Sequence, residues 1–411
     1  MAKEIQLNKL KKGASTFNLI GETKIKDFTF KLDVESTKTD SDWVYNQMNL
    51  GIDCGDEGII YADMMGGYGT ERQNQVYVHG TKEDENKRKQ DDFNAKFTID
   101  WEDRFDEEIL KTVGDMCFIT VGVEKDENGK TVYKKFLSEY DAIQYISENL
   151  KDETVVNIKG NLVYSLYNDT VQVQKKITSI CLSKAEKDQF KATFTQMLLL
   201  DKDSVGKVDK ETLTIPIYAK VLDYVKEFDK KIVKATLPLA KTFNIKVTKE
   251  DVDKVKKLLK FFKAKPKTIT SLVVDGVFSR GEVNTTEVTE DDIPNDIKDL
   301  IELGYVDKEE VLNKIALANG GGNKPEEMII TSPHIKMVGD EVKTPRIERN
   351  AEAYTEDDLN IALILQTLNI EEKSEDVSTE EDIDKDDVID KAIEEIEDGS
   401  DGSDDNWLEN L

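Results

Sequence analysis

The sequence predicts a mainly β protein with helical insertions, in which two antiparallel barrels are followed by a disordered acidic tail. Three observations predict it: a strand–helix–strand–turn–strand pattern over residues 136–182, an echo of that pattern about a hundred residues later, and an acidic composition beyond residue 370. The predicted segments are a flexible basic arm (1–15), a first barrel domain (16–185), a second barrel domain (186–345) with an inserted helical hairpin (about 286–319), a terminal helix and linker (346–370), and the disordered tail (371–411).

The first unit begins with a helix and continues as a hairpin. Ser138 is a good N-cap, and Asp141 follows it at the third helical position. Residues 154–167 then alternate apolar and polar side chains, with Gly160 among them, and Asn168-Asp169 predicts a two-residue turn into a returning strand. A helix that plugs the end of a strongly coiled barrel is typical of this pattern.

The second unit repeats the first. Thr248 and Asp251 reproduce the capping pattern, and Gly276 falls in its strand where Gly160 fell. A glycine inside a strand indicates a bend of the kind that a small barrel needs to close. The repeat favours two barrels, although a capped helix before a strand also occurs in any αβ unit.

Charge is distributed unevenly along the chain. The formal net charge is −28, yet residues 186–281 carry 21 basic and 13 acidic side chains, and residues 371–411 carry 3 basic and 19 acidic ones. Lys254, Lys257, Lys265 and Lys267 belong to the basic segment, which is either a solvated face or a surface that follows phosphates.

The composition argues against several classes of protein. There is no long apolar run and no apolar leader, so we expect a cytoplasmic protein without a membrane span. The three cysteines lie more than sixty residues apart and there are only two histidines, so neither a disulfide framework nor a zinc cluster is expected.

No enzyme signature is present, and we expect neither catalysis nor a cofactor. The glycines of residues 66–69 lack the lysine of a phosphate-binding loop and predict a mobile loop that carries Tyr68 and Arg72. The carboxylates of residues 100–108 could bind a divalent metal, but a solvated charged loop is favoured.

The tail ends in Asp404, Asp405, Asn406, Trp407, Leu408, Glu409, Asn410 and Leu411. An acidic tether that stops in large apolar residues can anchor in the pocket of a partner protein, and its carboxylates can also visit the chain's own basic surface. The alternative is a solubility tail with incidental apolar residues.

This layout resembles single-stranded DNA-binding proteins, and is most similar to those of bacteriophages. The resemblance implies two oligonucleotide-binding (OB) barrels, binding with little sequence preference, a role in DNA replication, recombination and repair in the host cytoplasm, and possible self-association on DNA. It also implies that Asp404, Asp405, Trp407, Leu408 and Leu411 recruit replication or recombination proteins. The familiar bacterial tip, Asp-Asp-Ile-Pro-Phe, differs from the end of this chain.

Single strands bind by stacking bases on aromatic rings while basic side chains follow the backbone. The predicted nucleic-acid-binding residues are Trp43, Tyr45, Tyr68, Arg72, Tyr133, Lys159, Tyr164, Tyr167, Lys254, Lys257, Lys265 and Lys267. Core packing is the alternative for each ring. The alternative function is an interaction hub or virion assembly protein that does not bind nucleic acid, which the net negative charge outside the tail favours.

Overall fold

The computed structural model describes residues 10–39, 41–85, 87–167, 170–210, 212–228, 231–248, 251–280, 293–294, 297–298, 301, 326–339 and 342–367. They are mainly β, as predicted. The strands up to residue 182 are β1 Ser15–Lys24, β2 Phe30–Glu35, β3 Trp43–Asp53, β4 Ile59–Gly69, β5 Gln75–Glu83, β6 Lys89–Asp100, β7 Ile119–Lys125, β8 Thr131–Phe136, β9 Val155–Tyr167 and β10 Thr170–Leu182.

The later strands are β11 Lys191–Leu200, β12 Thr214–Phe228, β13 Lys231–Lys246, β14 Thr268–Ser279, β15 Glu327–Pro333, β16 Ile335–Val338, β17 Thr344–Ile347 and β18 Arg349–Thr355. The α-helices of the described residues are α1 Glu107–Leu110, α2 Glu139–Asn149, α3 Val252–Leu259 and α4 Ile361–Thr367. The predicted helical hairpin (286–319) and the tail (371–411) lie outside the described residues, apart from isolated positions of the hairpin.

Five strands close a barrel in the order β1–β3–β4–β10–β9, and β9 pairs again with β1. Of these five strand pairings, only β4–β10 is parallel. Along the chain, helix α2 lies between β4 and β9, the third and fourth barrel strands in sequence order. It buries Ala142, Ile143 and Ile146 against the barrel interior. The strand order and the helix position are OB-like.

The pairings of five later strands follow the same order, β11–β12–β13–β15–β14, and β14 returns to β11. The β13–β15 contact is parallel, and α3 lies between β13 and β14. The two sets are joined because β1 pairs with β11 from Ser15 to Ile20, which makes one continuous sheet.

In each set of strands one glycine faces a phenylalanine ring at a point where no side chain fits. Gly160 on β9 lies opposite Phe17 of β1, and a Cβ there would be 2.0 Å from the Lys176 carbonyl oxygen and 2.6 Å from the Phe17 ring. Gly276 on β14 lies opposite Phe194 of β11, and a Cβ there would be 2.3 Å from that ring. The predicted equivalence of the two glycines is therefore confirmed in their packing.

The predicted cap of the first helix is confirmed, because the Ser138 hydroxyl accepts a hydrogen bond from the Tyr140 amide. The prediction for the second helix is wrong by one turn. Helix α3 begins at Val252 with Asp251 as its N-cap, and the Thr248 hydroxyl instead donates to the Asp251 carboxylate. That carboxylate also accepts a hydrogen bond from the ammonium of Lys254, in the first turn of the helix.

The described end of the predicted flexible arm is fixed in place. The Lys12 ammonium donates to both oxygens of the Asp223 carboxylate at 2.8 Å. Asp223, which is buried, also accepts from the Tyr164 amide at 2.7 Å. Because Tyr164 lies on β9 and Asp223 on β12, this carboxylate ties the arm and both sets of strands together.

The region after β15 differs from the predicted terminal helix and linker (346–370). The chain leaves β15 after Pro333, and β16 pairs with β17 in a separate ribbon. Residues 349–355 form β18, which pairs with β14, and the helix covers only Ile361–Thr367. The Arg349 guanidinium fixes β18 by donating to the carbonyls of Phe261 and Lys263, and Leu359 is buried against Leu199, Leu222 and Ile269.

We predict that Gly160→Ala lowers the free energy of unfolding by about 1–3 kcal/mol, since the added methyl must displace either backbone or the Phe17 ring. Gly80→Ala is the matched control, because a Cβ at Gly80 in β5 meets its nearest atom at 3.5 Å. Urea denaturation of both variants checks this, and equal stability of the two would contradict the role of Gly160 in closing the barrel.

Candidate nucleic-acid interface

Two tyrosines lie exposed on the outer face of β12. The side chains of Ile217, Ala219 and Val221 point inward and are buried, whereas Tyr218 and Tyr224 are each 53% exposed. Half-buried Lys220 and Leu222, which is buried against Leu359, lie between them on the same face, because alternate residues of a strand share a face. The two rings are six residues apart, or about 20 Å along the strand, with a cation between them.

The loop before β12 holds one of these rings in place. The Tyr218 amide donates to the Ser204 carbonyl at 2.8 Å, and a Cβ at Gly206 would lie 2.8 Å from the Tyr218 ring. Glycine thus lets the loop backbone lie directly against the ring. The same loop exposes Lys207 and Lys210. The outer face of the second barrel strand and the loop before it form part of the oligonucleotide-binding surface of OB folds.

Tyr218 and Tyr224 are not among the residues that the sequence predicts for nucleic-acid binding. The alternation of Ile217, Ala219 and Val221 with Tyr218 and Lys220 indicates a two-sided strand, but Leu222 and Asp223 interrupt it before Tyr224. The strand pattern shows that the two tyrosines share a face. It does not show which face is exposed to solvent, because that depends on how the barrel packs.

The predicted lysines of the second unit are all exposed. Lys254 and Lys257 lie on α3, and Lys265 and Lys267 lie in the turn that follows it. Lys254 pairs with Asp251 at 2.5 Å and Lys265 with Glu352 at 2.9 Å. Exposed pairs of this kind contribute little to stability, so these ammonium groups can exchange their carboxylates for phosphates at small cost.

Trp43 and Tyr45 lie on the outer face of β3 and are half-buried. Their rings stack on each other with centroids 4.6 Å apart. The residues opposite them on β4 are Gly69 and Gly67, and a Cβ at Gly67 would lie 2.8 Å from the Tyr45 Cβ. The glycines therefore make room for the two rings.

The prediction of a mobile glycine loop is wrong. Residues 66–69 end strand β4, and Tyr68 pairs with Val44 of β3. The Tyr68 ring stacks on Trp101 at 5.3 Å and meets the edge of Tyr140 at 5.3 Å. Glycines are needed here because strand β3 and the start of α2 approach closely, as a Cβ at Gly66 would lie 2.7 Å from the Glu139 Cβ.

An arginine and a hydrogen bond from Tyr140 to a carboxylate complete this aromatic cluster. The Arg104 guanidinium lies 4.1 Å from the Trp101 ring and donates to the Asp141 carboxylate at 2.7 Å and 3.1 Å. Asp141 therefore serves Arg104 and does not complete the predicted capping pattern. The Tyr140 hydroxyl donates to Asp33, and burial together with that carboxylate raises the pKa of Tyr140.

Tyr164 is not available to stack on bases, because its side chain is only 1% exposed. Its hydroxyl donates to the Gln196 side chain at 3.1 Å, and burial raises the pKa of Tyr164. The polar tip of this ring is satisfied inside the core, which a strand pattern alone does not reveal.

The remaining predicted residues are dispersed. Tyr133 on β8 is 61% exposed and lies against Gly122, Lys159 is exposed on β9, and Arg72 is exposed beside Asp42 at 3.6 Å. Tyr167 ends β9, and its side chain lies outside the described part of the structure. The structure therefore does not bring the twelve predicted residues into one site.

Within the described residues, no group of three or more His, Cys, Asp or Glu side chains could hold a metal ion. No helix in the described part of the chain is long and apolar enough to cross a membrane.

The closed five-stranded barrel defines an OB-like β-barrel protein. The family model YorF matches residues 78–292, and the chain belongs to the YorF family. No curated protein matches the sequence. Among solved structures, the chain is similar to a deletion mutant of the single-stranded DNA binding protein from Thermus aquaticus, with 12% identity, 66% of this chain and 89% of that chain covered, and a TM-score of 0.26. A similarity this low does not bear on function.

We predict that Tyr68→Ala lowers the free energy of unfolding by about 1–3 kcal/mol, since it removes two ring contacts worth about 0.5–1.5 kcal/mol each. Tyr77→Ala is the control, because Tyr77 is 82% exposed and its removal should change stability by less than about 0.5 kcal/mol. Urea denaturation measures both. Unchanged stability of the Tyr68 variant would show that the ring contacts contribute no stability, and the Tyr68 ring would again be a candidate for stacking on a base.

Proposed function

We propose that this protein binds single-stranded nucleic acid with little sequence preference and has no catalytic activity. The observation that carries the proposal is the pair of exposed rings, Tyr218 and Tyr224, with Lys220 between them on the outer face of β12. Every base has a ring face, so stacking on tyrosine tolerates any sequence, and lysine follows the phosphates that link the bases.

The positive charge of the lysines on and after α3 also supports the proposal. Residues 186–281 have a net charge of +8 in a chain whose net charge is −28. An acidic protein that concentrates its cations in one segment can attract a polyanion there while the remainder repels it. Trp43, Tyr45 and Tyr133, each at least partly exposed, would extend the stacking surface onto the first barrel.

The cellular role belongs to the same proposal. We propose a phage single-stranded DNA-binding protein built of two OB folds, which acts in replication and recombination and self-associates on DNA. Residues 371–411 would recruit partner proteins through Asp404, Asp405, Trp407, Leu408 and Leu411. The alternative is an interaction hub or virion assembly protein, which the net negative charge of the chain outside the tail favours.

Removing the β12 rings should weaken binding without unfolding the protein. We expect Tyr218→Ala and Tyr224→Ala each to cost about 1–3 kcal/mol of binding free energy for a single-stranded oligonucleotide, the usual value for one stacked base. Fluorescence anisotropy at low salt measures this, with Tyr77→Ala as the control for removal of an exposed ring. If neither variant differs from the control, the site is not on β12, and an absence of binding by the intact chain would reject the function.

Removing the tail should tighten binding. A tail with a net charge of −16 acts as a tethered competitor for the basic surface, at an effective concentration of up to about 1 mM. We expect the chain that ends at Ile370 to bind an oligonucleotide more tightly than the intact chain, and the gain to shrink with added salt because screening weakens the self-contact.

The apolar residues at the tip of the tail lead to a separate prediction. Trp407→Ala combined with Leu408→Ala should abolish capture of a replication or recombination partner while leaving DNA affinity unchanged, because carboxylates and not apolar groups imitate phosphate. Equal affinity for the intact and shortened chains would reject the competitor, and undiminished partner capture by the tip variant would reject docking through the tip.

A further inference from the structure

A polar groove of about 350 Å³ lies where the two sets of strands join. Its polar side chains come from neighbouring strands of the continuous sheet: Thr16 and Asn18 of β1, Lys159 and Asn161 of β9, and Thr193 and Thr195 of β11. The residues of the lining and their neighbours in the chain all belong to the described part of the structure. The volume falls in the range of about 300–1,000 Å³ that is usual for ligand sites.

Three hydrogen-bond donors of this groove are exposed and unengaged. Thr16, Lys159 and Asn161 are exposed to solvent, and among the described residues their side chains have no hydrogen-bond or ion-pair partner. Asn161 lies opposite Thr16 in the pairing of β9 with β1, and Lys159 is two residues from Asn161. Cross-strand partners and alternate residues share a face, so a hydroxyl, an amide and an ammonium lie together on the outer side of the sheet. A ligand can reach all three without breaking an existing contact.

The charge of the groove favours an anion. Lys159 is the one charged side chain among the described residues that line it, in a chain whose net charge is −28. Asp275 of β14 lies opposite Thr195, and protein groups already occupy its carboxylate. The Thr195 hydroxyl donates to that carboxylate at 2.7 Å, and the Nδ1 of His334 lies 3.0 Å from it. The ammonium of Lys159 is therefore left to attract a negatively charged ligand.

The side chains of the groove match a phosphate better than a base. Its two aromatic residues, Phe17 and Phe194, are buried, so no ring of the described lining is open to stacking. Lysine, threonine and asparagine side chains are among those that contact phosphate oxygens in complexes with nucleic acids. Such hydrogen bonds are stronger than those between uncharged groups, because the phosphate carries a charge. The groove thus differs in chemistry from the tyrosines on β12.

We propose that this groove binds one backbone phosphate of the single strand, an inference that rests on the proposed function. Lys159 supplies the opposite charge, and the Thr16 hydroxyl and the Asn161 amide donate hydrogen bonds to the phosphate oxygens. Because β1 and β9 belong to one set of strands and β11 to the other, the phosphate is bound at their junction. The strand is held there by its backbone, and on β12 by its bases.

Lys159→Ala should reduce the salt dependence of binding. Each phosphate of a single strand that a cation neutralises contributes about 0.7 to the slope of log affinity against log salt concentration. We expect the variant of the full chain to bind an oligo-dT strand more weakly at low salt and to lose about 0.7 from that slope, measured by fluorescence anisotropy. Lys130→Ala, in the exposed turn between β7 and β8, is the matched control and should keep the slope of the intact protein.

Thr16→Val removes a hydroxyl and leaves the charge and the shape of the side chain unchanged. We expect about tenfold weaker binding of the same strand at every salt concentration, the lower end of the value of one hydrogen bond to a charged group, with an unchanged slope. Thr98→Val, at an exposed threonine of β6, is the matched control and should bind like the intact protein. A diffuse attraction by Lys159 would not respond to Thr16→Val, so the two variants separate a bound phosphate from general electrostatics.

Three results would overturn the inference. If the intact protein binds the strand and Lys159→Ala or Thr16→Val matches its control, the groove does not hold a phosphate of the strand, while the proposed function stands. If Lys159→Ala leaves binding of the strand unchanged but abolishes binding of thymidine monophosphate in isothermal titration calorimetry, the groove is a site for a free nucleotide. If the intact protein does not bind the strand, the proposed function fails and the inference fails with it.

Discussion

The close approach of a phenylalanine ring to a glycine is the constraint on which this fold depends. Phe17 lies against Gly160, and Phe194 lies against Gly276, each at a point where the glycine strand is paired on both sides. Any side chain at either glycine would overlap with the ring or with backbone. Because the glycine strand, β9 or β14, can coil tightly there, β1 and β10 pair with the two edges of β9, and β11 and β15 pair with the two edges of β14. The ring of strands closes in this way.

A few buried polar contacts then fix the two sets of strands against each other. Asp223 of β12 holds both Lys12 and the Tyr164 amide, and Lys175 of β10 holds Glu326. Lys241 of β13 donates toward the Val171 carbonyl at 3.5 Å, and burial lowers its pKa while Glu326 opposes that shift. Removing one partner of a buried pair leaves the other uncompensated, so these contacts hold one arrangement. That arrangement places Arg280 and Glu326 over the face of the first barrel.

The candidate surfaces follow from this arrangement and differ in chemistry. The outer face of β12 offers two exposed rings and lysines, which suits any base and its phosphate. The aromatic cluster of Tyr68, Trp101 and Tyr140 is packed against itself and Arg104, so it stabilises the inserted segment between β4 and α2.

The sequence by itself determined the strands around residues 154–182, the helix capped by Ser138, the equivalence of Gly160 and Gly276, and the exposure of the lysines after α3. Each depends on neighbours in the chain: periodicity, a capping side chain, or a position without a side chain. Only the tertiary structure decided that Tyr164 is buried, that residues 66–69 are a strand end, that residues 349–355 pair with β14, and that Tyr218 and Tyr224 face outward. A strand pattern shows which residues share a face, but the side on which other elements pack is set by contacts between residues far apart in the chain, as when Asp223 meets Tyr164.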